Sequence, residues 1–151
     1  MTHTTRTTLP VVIDAVKALA HPGRLRMLAM LRDGDLCVCQ VTAVMGLAAS
    51  TVSSHLSDLR RAGFVTERKI GKWVHYRLVS DGPLADLARQ ALRLAEADDQ
   101  LVKDVRAVRA LRKIPLATLC STGVGPKSVG PIPTPRTTQP RRRPSHTRRH
   151  A

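Results

Sequence analysis

The sequence predicts a mainly α fold with a small β-hairpin: a homodimeric winged helix-turn-helix in the order α-α-α-α-β-β-α. Three observations predict it. Apolar residues recur at helical spacing across residues 12–112, interrupted at short intervals by Gly and Pro. Two of the helical stretches meet at a short turn containing Gly46. Directly after them the period changes to that of two short strands around Gly71.

The elements follow in order. Residues 1–11 are Thr-rich and read as a flexible N-terminus. Val12, Ile13, Val16 and Leu19 keep helical spacing, which gives a first helix to about Ala20. Pro22 suits the first turn of a second helix, with Leu25, Leu28 and Leu31 on its apolar face and Gly34 at its end. Asp35 is the expected N-cap of a third helix, from Leu36 to about Met45, and Gly46 breaks it. Ser50 is the expected N-cap of a fourth, with Val52, Leu56 and Leu59 inward and Gly63 beyond its end. Residues 64–69 and 73–79 read as the strands of a basic hairpin, a wing. Helix restarts at Pro83, and Leu84, Leu87, Ala88, Ala91, Leu92 and Ala95 form an apolar stripe that continues through Leu101, Val105, Val108 and Leu111. So long a stripe is expected to be a dimerisation helix. The winged helix-turn-helix and dimerisation domain thus spans 12–112, and residues 113–151 read as a disordered basic tail rich in Pro and Arg.

The formal net charge is +14, and half of it, +7, comes from Lys and Arg after Ser121, where no acid occurs. The domain is therefore basic without its tail, and a polyanion, nucleic acid, is the implied partner. Aromatics make up only 2% of the chain, so the core must be aliphatic. The sequence has no apolar run of the roughly 18 residues a membrane span requires and no signal-peptide core. A cytoplasmic protein with reduced thiols is expected, with no membrane partner. There is no nucleophile–base pairing, phosphate loop or cofactor motif, so no enzyme is expected.

The fourth helix carries Ser50, Thr51, Ser53, Ser54, His55 and Ser57, whose short polar side chains let a helix backbone approach the major groove and donate to phosphates or base edges. Arg60 and Arg61 end that helix with charge suited to backbone phosphates, and Arg68, Lys69 and Lys72 decorate the wing. His55 fits a phosphate contact and local packing equally well. A symmetric dimer of such units would bind double-stranded operator DNA as an inverted repeat, with half-sites about one helical turn or a multiple apart.

Cys37 and Cys39 stand one residue apart at the start of the third helix. Thiol pairs take soft metals and metalloids, and a helix N-terminus favours the thiolate. In a regular helix, residues i and i+2 point about 200° apart. One ion bridging them is expected to unwind the first turn of the helix that supports the reading helix. Cys-X-Cys also makes a poor intrahelical disulfide, whereas sulfenylation needs no ring.

The run Asp35-Leu36-Cys37-Val38-Cys39-Gln40-Val41, then Ser50 through Val65, resembles the ArsR/SmtB family of metal-sensing repressors. Ala20-His21-Pro22-Gly23-Arg24-Leu25-Arg26 and Gly71-Lys72-Trp73-Val74-His75-Tyr76-Arg77-Leu78 are similar to its second-helix opening and its wing. The resemblance covers about residues 12–98 and implies a homodimeric repressor of a metalloid-resistance operon, released from DNA by As(III) or Sb(III) at Cys37 and Cys39. A related subgroup uses the same pair for Cd(II), Pb(II) or Zn(II).

As(III) prefers three thiolates. The resemblance places a third Cys three residues after the second, where this chain has Thr42, so Cys120 is the candidate third ligand. Residues 82–112 hold no His, which speaks against the zinc site of the family's last helix. No Cys precedes Cys37, which weakens the cadmium and lead reading. His3, His146 and His150 lie in the termini and read as unbound. Two alternatives stay open: a thiol-redox-responsive repressor of the same fold, and a basic architectural nucleic-acid protein with incidental thiols.

Overall fold

The computed structural model describes residues 7–121. In chain order its elements are α1 (Leu9–Leu19), α2 (Pro22–Met30), β1 (Leu36–Cys37), α3 (Val38–Met45), α4 (Ala49–Arg61), β2 (Val65–Ile70), β3 (Trp73–Leu78), α5 (Pro83–Leu94), α6 (Asp99–Leu111) and α7 (Leu116–Ser121). A 3-10 turn, Leu31–Asp33, follows α2. This is the expected winged helix-turn-helix, with α3 and α4 as the helix pair and β2–β3 as the wing.

Several elements start or end elsewhere than the sequence predicts. Helix α1 begins at Leu9, with Thr8 extended before it and Pro10 in its first turn. The N-cap of α3 is Cys37 rather than Asp35, because Leu36 and Cys37 are drawn into a strand. Ala48 rather than Ser50 precedes α4, which leaves Ser50 inside the first turn. The wing is a three-stranded antiparallel sheet in the order β1-β3-β2, not a lone hairpin.

The expected long helix is two helices. It breaks after Leu94, and Asp98 starts α6 by accepting hydrogen bonds from the backbone N–H groups of Gln100 and Leu101. The chain then turns back, and α6 packs on α2 and α3 of its own subunit, burying Leu101 and Val108. This corrects the expectation that the stripe is wholly a dimerisation helix. Its continuation is held inside one chain by Asp104, which is 2% exposed and accepts hydrogen bonds from Arg26 at 2.6 and 2.9 Å and from Gln100 at 2.8 Å.

The apolar face left without cover lies on α1 instead. Only Ala15 and Ala18 of α1 are buried, while Leu9, Ile13 and Val16 are 74, 44 and 50% exposed. Leu94, at the end of α5, is 91% exposed. The core itself is aliphatic around one Phe: Met27, Leu28, Met30 and Leu31 meet Leu36, Val41, Val52, Leu56, Leu59, Phe64 and Val108.

Beyond residue 112 the chain makes a further helix, α7, which buries Leu119 and packs on α3. The remaining expected tail, residues 122–151, and residues 1–6 of the N-terminus lie outside the described residues, as do His3, His146 and His150.

Candidate effector and DNA-binding sites

The strap between α2 and α3 holds the first thiol. Gly34 takes φ +133°, a conformation that favours glycine. The Arg112 guanidinium donates to the carbonyls of Gly34 and Asp35 at 3.0 and 3.1 Å. Arg109, one turn earlier on α6, pairs with Asp33 at 2.9 Å. Leu36 and Cys37 then pair with Tyr76 and His75 of β3. The chain enters α3 through Gln40, whose side-chain oxygen accepts from the Cys37 N–H at 2.9 Å.

Cys37 is therefore extended (φ −84°, ψ 161°), whereas Cys39 is already helical. The two thiols do not diverge as two positions of a regular helix would. This corrects the expectation that the helix must unwind before one ion can reach both. Helix α7 adds Cys120, and the sulfurs of Cys37, Cys39 and Cys120 all lie within 4.8 Å of one another. Cys39 and Cys120 are joined as a disulfide, with Cα atoms 5.6 Å apart, and Cys37 is a free thiol, 1% exposed. Cys39 and Cys120 are partly exposed. The donor set fits a soft, three-coordinate metalloid, since three sulfurs from three elements meet. Thr42, where the family resemblance places a third Cys, keeps its hydroxyl oxygen buried without a hydrogen-bond partner.

The same strap reaches the wing. Asp35 accepts from Arg77 of β3 at 2.6 and 3.1 Å and lies 3.9 Å from Arg68 of β2. The hydrogen bonds from Arg77 hold the Asp35 carboxyl below its ordinary value of 3.8, against the opposing effect of burial. Its folded pKa is thus lower than its unfolded one. The stability it contributes is present above pH 3.8 and is lost as pH falls through the folded value. Asp35→Asn is expected to be less stable than wild type at neutral pH, by a margin that shrinks on acidification below about pH 4. Urea melts at a series of pH values measure this, and a constant margin would contradict it.

Helix α4 buries Val52, Leu56 and Leu59 and turns the opposite face outward. Ser50, Thr51 and Ser54 are exposed there, and Ser53 and Ser57 are half-buried. His55 is half-buried and faces inward: its ring lies 4.5 Å from that of His21, and its Nδ1 is buried without a partner. His21 caps α2 by accepting from the Gly23 N–H at 3.1 Å. Burial, then the nearby His55 and Arg24, lowers the His21 pKa, while Asp58 opposes. Arg60 pairs with Glu67 at 3.3 Å and Arg61 with Asp58. On the wing, Arg68 and Lys69 are exposed, and the ammonium of Lys72 lies 5.2 Å from the Trp73 ring centroid.

The sequence alone does not single out Gln40 and Arg112, which hold the Cys37 strap, or Arg26 and Asp104, which hold α6 in place. Two left a signal. Gln40 stands three residues after Cys37, the spacing of a capping box. Asp104 is an acid on the apolar face between Leu101 and Val108, a position that calls for a buried cation. Arg26 and Arg112 carry no local mark.

The bacterial regulatory protein, arsR family, signature matches residues 21–67, from the N-cap of α2 into the wing. The arsenic resistance transcriptional regulator ArsR1 of Pseudomonas putida is 38% identical over 108 residues, 62% of this chain and 82% of that protein. The chain belongs to the ArsR family. ArsR-family proteins are DNA-binding transcriptional regulators, not enzymes. Among solved structures, the homodimeric winged helix-turn-helix DNA-binding domain of a possible ArsR-family regulator from Mycobacterium bovis is similar with a TM-score of 0.54. It is 27% identical, covering 66% of this chain and 93% of that one. The AntR antimony-specific transcriptional repressor is similar with a TM-score of 0.50 and 31% identity, covering 66% of this chain and 90% of its own. No helix among the described residues is long and apolar enough to cross a membrane.

Proposed function

We propose that this ArsR-family regulator represses a metalloid-resistance operon as a cytoplasmic homodimer on an inverted-repeat operator. As(III) or Sb(III), bound by Cys37, Cys39 and Cys120, releases it. The observation that carries the reading is the meeting of three sulfurs from β1, α3 and α7 within 4.8 Å. The likeness to a regulator named for arsenic resistance and to an antimony-specific repressor favours metalloids over Cd(II), Pb(II) or Zn(II).

Reduced thiols are the starting point, and the effector supplies a soft centre for three thiolates. A metalloid held by all three would draw the Cys37 sulfur toward those of Cys39 and Cys120, and so move β1 relative to α3. Cys37 is paired with His75, so β3 follows β1, and Asp35 carries the same motion to Arg77 and Arg68. The wing loses its alignment with α4, and DNA contacts from the two elements no longer fit together.

On DNA, Ser50, Thr51, Ser53, Ser54 and Ser57 of α4 face the major groove. Arg60, Arg61, Arg68, Lys69 and Lys72 neutralise phosphates, exchanging their acidic partners where they have them. His55 anchors α4 to α2 from inside. The dimer surface is the uncovered stripe of α1 with Leu94, and the folded unit runs past residue 112 through α7.

Fluorescence anisotropy of the reduced protein on its own promoter tests the reading. Release is expected with As(III) and Sb(III) at concentrations where Zn(II) leaves the complex intact. With about 6–10 phosphate contacts per dimer, affinity is expected to fall roughly 10³–10⁵-fold between 50 and 200 mM salt. A complex that As(III) leaves intact contradicts the effector. Deleting residues 122–151 is expected to weaken binding to non-specific DNA more than to the operator, which competition titration measures. Equal losses would make that segment part of the reader.

A further inference from the structure

We infer that the same thiol cluster answers a second chemical class, two-electron oxidants such as peroxides, and that oxidation makes the repressor deaf to metalloid while leaving it on DNA. The inference rests on the metalloid reading above for its consequence, but not for its chemistry.

The exposures select which sulfurs react. Cys39 and Cys120 are partly exposed and lie within bonding reach, whereas Cys37 is 1% exposed behind β3. An oxidant from solution meets the first two. The thiolate of Cys39 or Cys120 attacks one peroxide oxygen, the O–O bond breaks, and a sulfenic acid forms as the departing hydroxide takes up the proton the thiol had lost and leaves as water. The other thiolate attacks that sulfur, the S–O bond breaks, and a second water leaves. Two thiols and one peroxide thus give one disulfide and two waters, and a cellular dithiol reverses the step.

The consequence follows from what the bond takes and what it leaves. It removes two of the three sulfurs a metalloid needs. It does not draw in Cys37, which stays paired with His75 and held by Gln40, with the sheet β1-β3-β2 complete. Helices α3 and α4 and the wing therefore keep their DNA-binding arrangement when Cys39 and Cys120 are joined. Under oxidant stress the operon stays shut even where metalloid is present, until the disulfide is reduced.

The test treats the full chain with hydrogen peroxide, maps the crosslink by peptide mass spectrometry, and measures operator binding and As(III) release. A Cys39–Cys120 crosslink is expected in wild type and equally in Cys37→Ser, but not in Cys120→Ser. The oxidised wild type is expected to bind operator within about twofold of the reduced form. Its half-release is expected to need at least about 100-fold more As(III), given that even outer partners of a metal site are worth 10–100-fold. A monothiol-free phosphine reductant is expected to restore the response. A crosslink through Cys37, no crosslink, or release from DNA by peroxide alone would each overturn the proposal. Failure of the reduced protein to answer As(III) would instead overturn the metalloid reading, with the crosslink map still deciding the chemistry.

Discussion

Asp104→Ala is expected to cost roughly 3–5 kcal/mol of folding stability, the usual effect of removing one member of a buried ion pair. Asp104 is almost fully buried, and the partner left behind is Arg26, whose side chain is only 13% exposed. The variant would leave that guanidinium, and the Gln100 amide, without the carboxylate both donate to. A domain of this size has about 5–15 kcal/mol in total, so the loss takes a large share. Urea unfolding at neutral pH measures it as a lower midpoint. Replacing both partners by apolar residues of similar volume is expected to recover much of the loss, since the pair's cost lies in leaving one charge alone. A loss below about 1 kcal/mol in the single variant would mean that Arg26 reaches water and that α6 is held by packing alone.

The second large effect belongs to the thiols. Replacing Cys37 and Cys39 together by Ser is expected to leave operator affinity within about twofold and to abolish release by As(III). A full switch from 99:1 to 1:99 occupancy needs about 5.5 kcal/mol of differential binding, roughly 10⁴-fold between the two forms. One remaining thiol cannot supply it. Cys120→Ser is expected to fall between, shifting half-release to higher As(III) by at least about 10–100-fold. Anisotropy titrations on one operator fragment compare the three proteins. Undiminished release in the double variant would remove Cys37 and Cys39 from the effector site.

Much of this was legible in the chain. The 3.6-residue period of Val52, Leu56 and Leu59, the turn at Gly46 and the strand pair around Gly71 specify the winged helix-turn-helix locally, because each signal lies within one element. The outward face of α4, proposed above to read DNA, follows from the same period. What could not be read depends on contacts between distant residues. Leu36-Cys37 becomes a strand only because β3 offers Tyr76 and His75, and two residues carry too little pattern to announce it. That pairing also moves the cap of α3 from Asp35 to Cys37 and undoes the 200° argument about the thiols. The apolar stripe from Leu84 to Leu111 looks continuous in sequence, but Asp98 and the Arg26–Asp104 pair fold it back on itself. Cys120 lies 81 residues from Cys39, and only the turn of α6 and α7 brings it home.

Cys37, Cys39 and Cys120 are proposed to form one three-sulfur site. X-ray absorption at the arsenic edge on the reduced protein, loaded with one As(III) per chain and no exogenous thiol, tests it most directly. Three sulfur neighbours are expected in wild type, and two sulfurs with one oxygen in Cys120→Ser. Two sulfurs in both proteins would exclude Cys120 from the site and leave it a structural role.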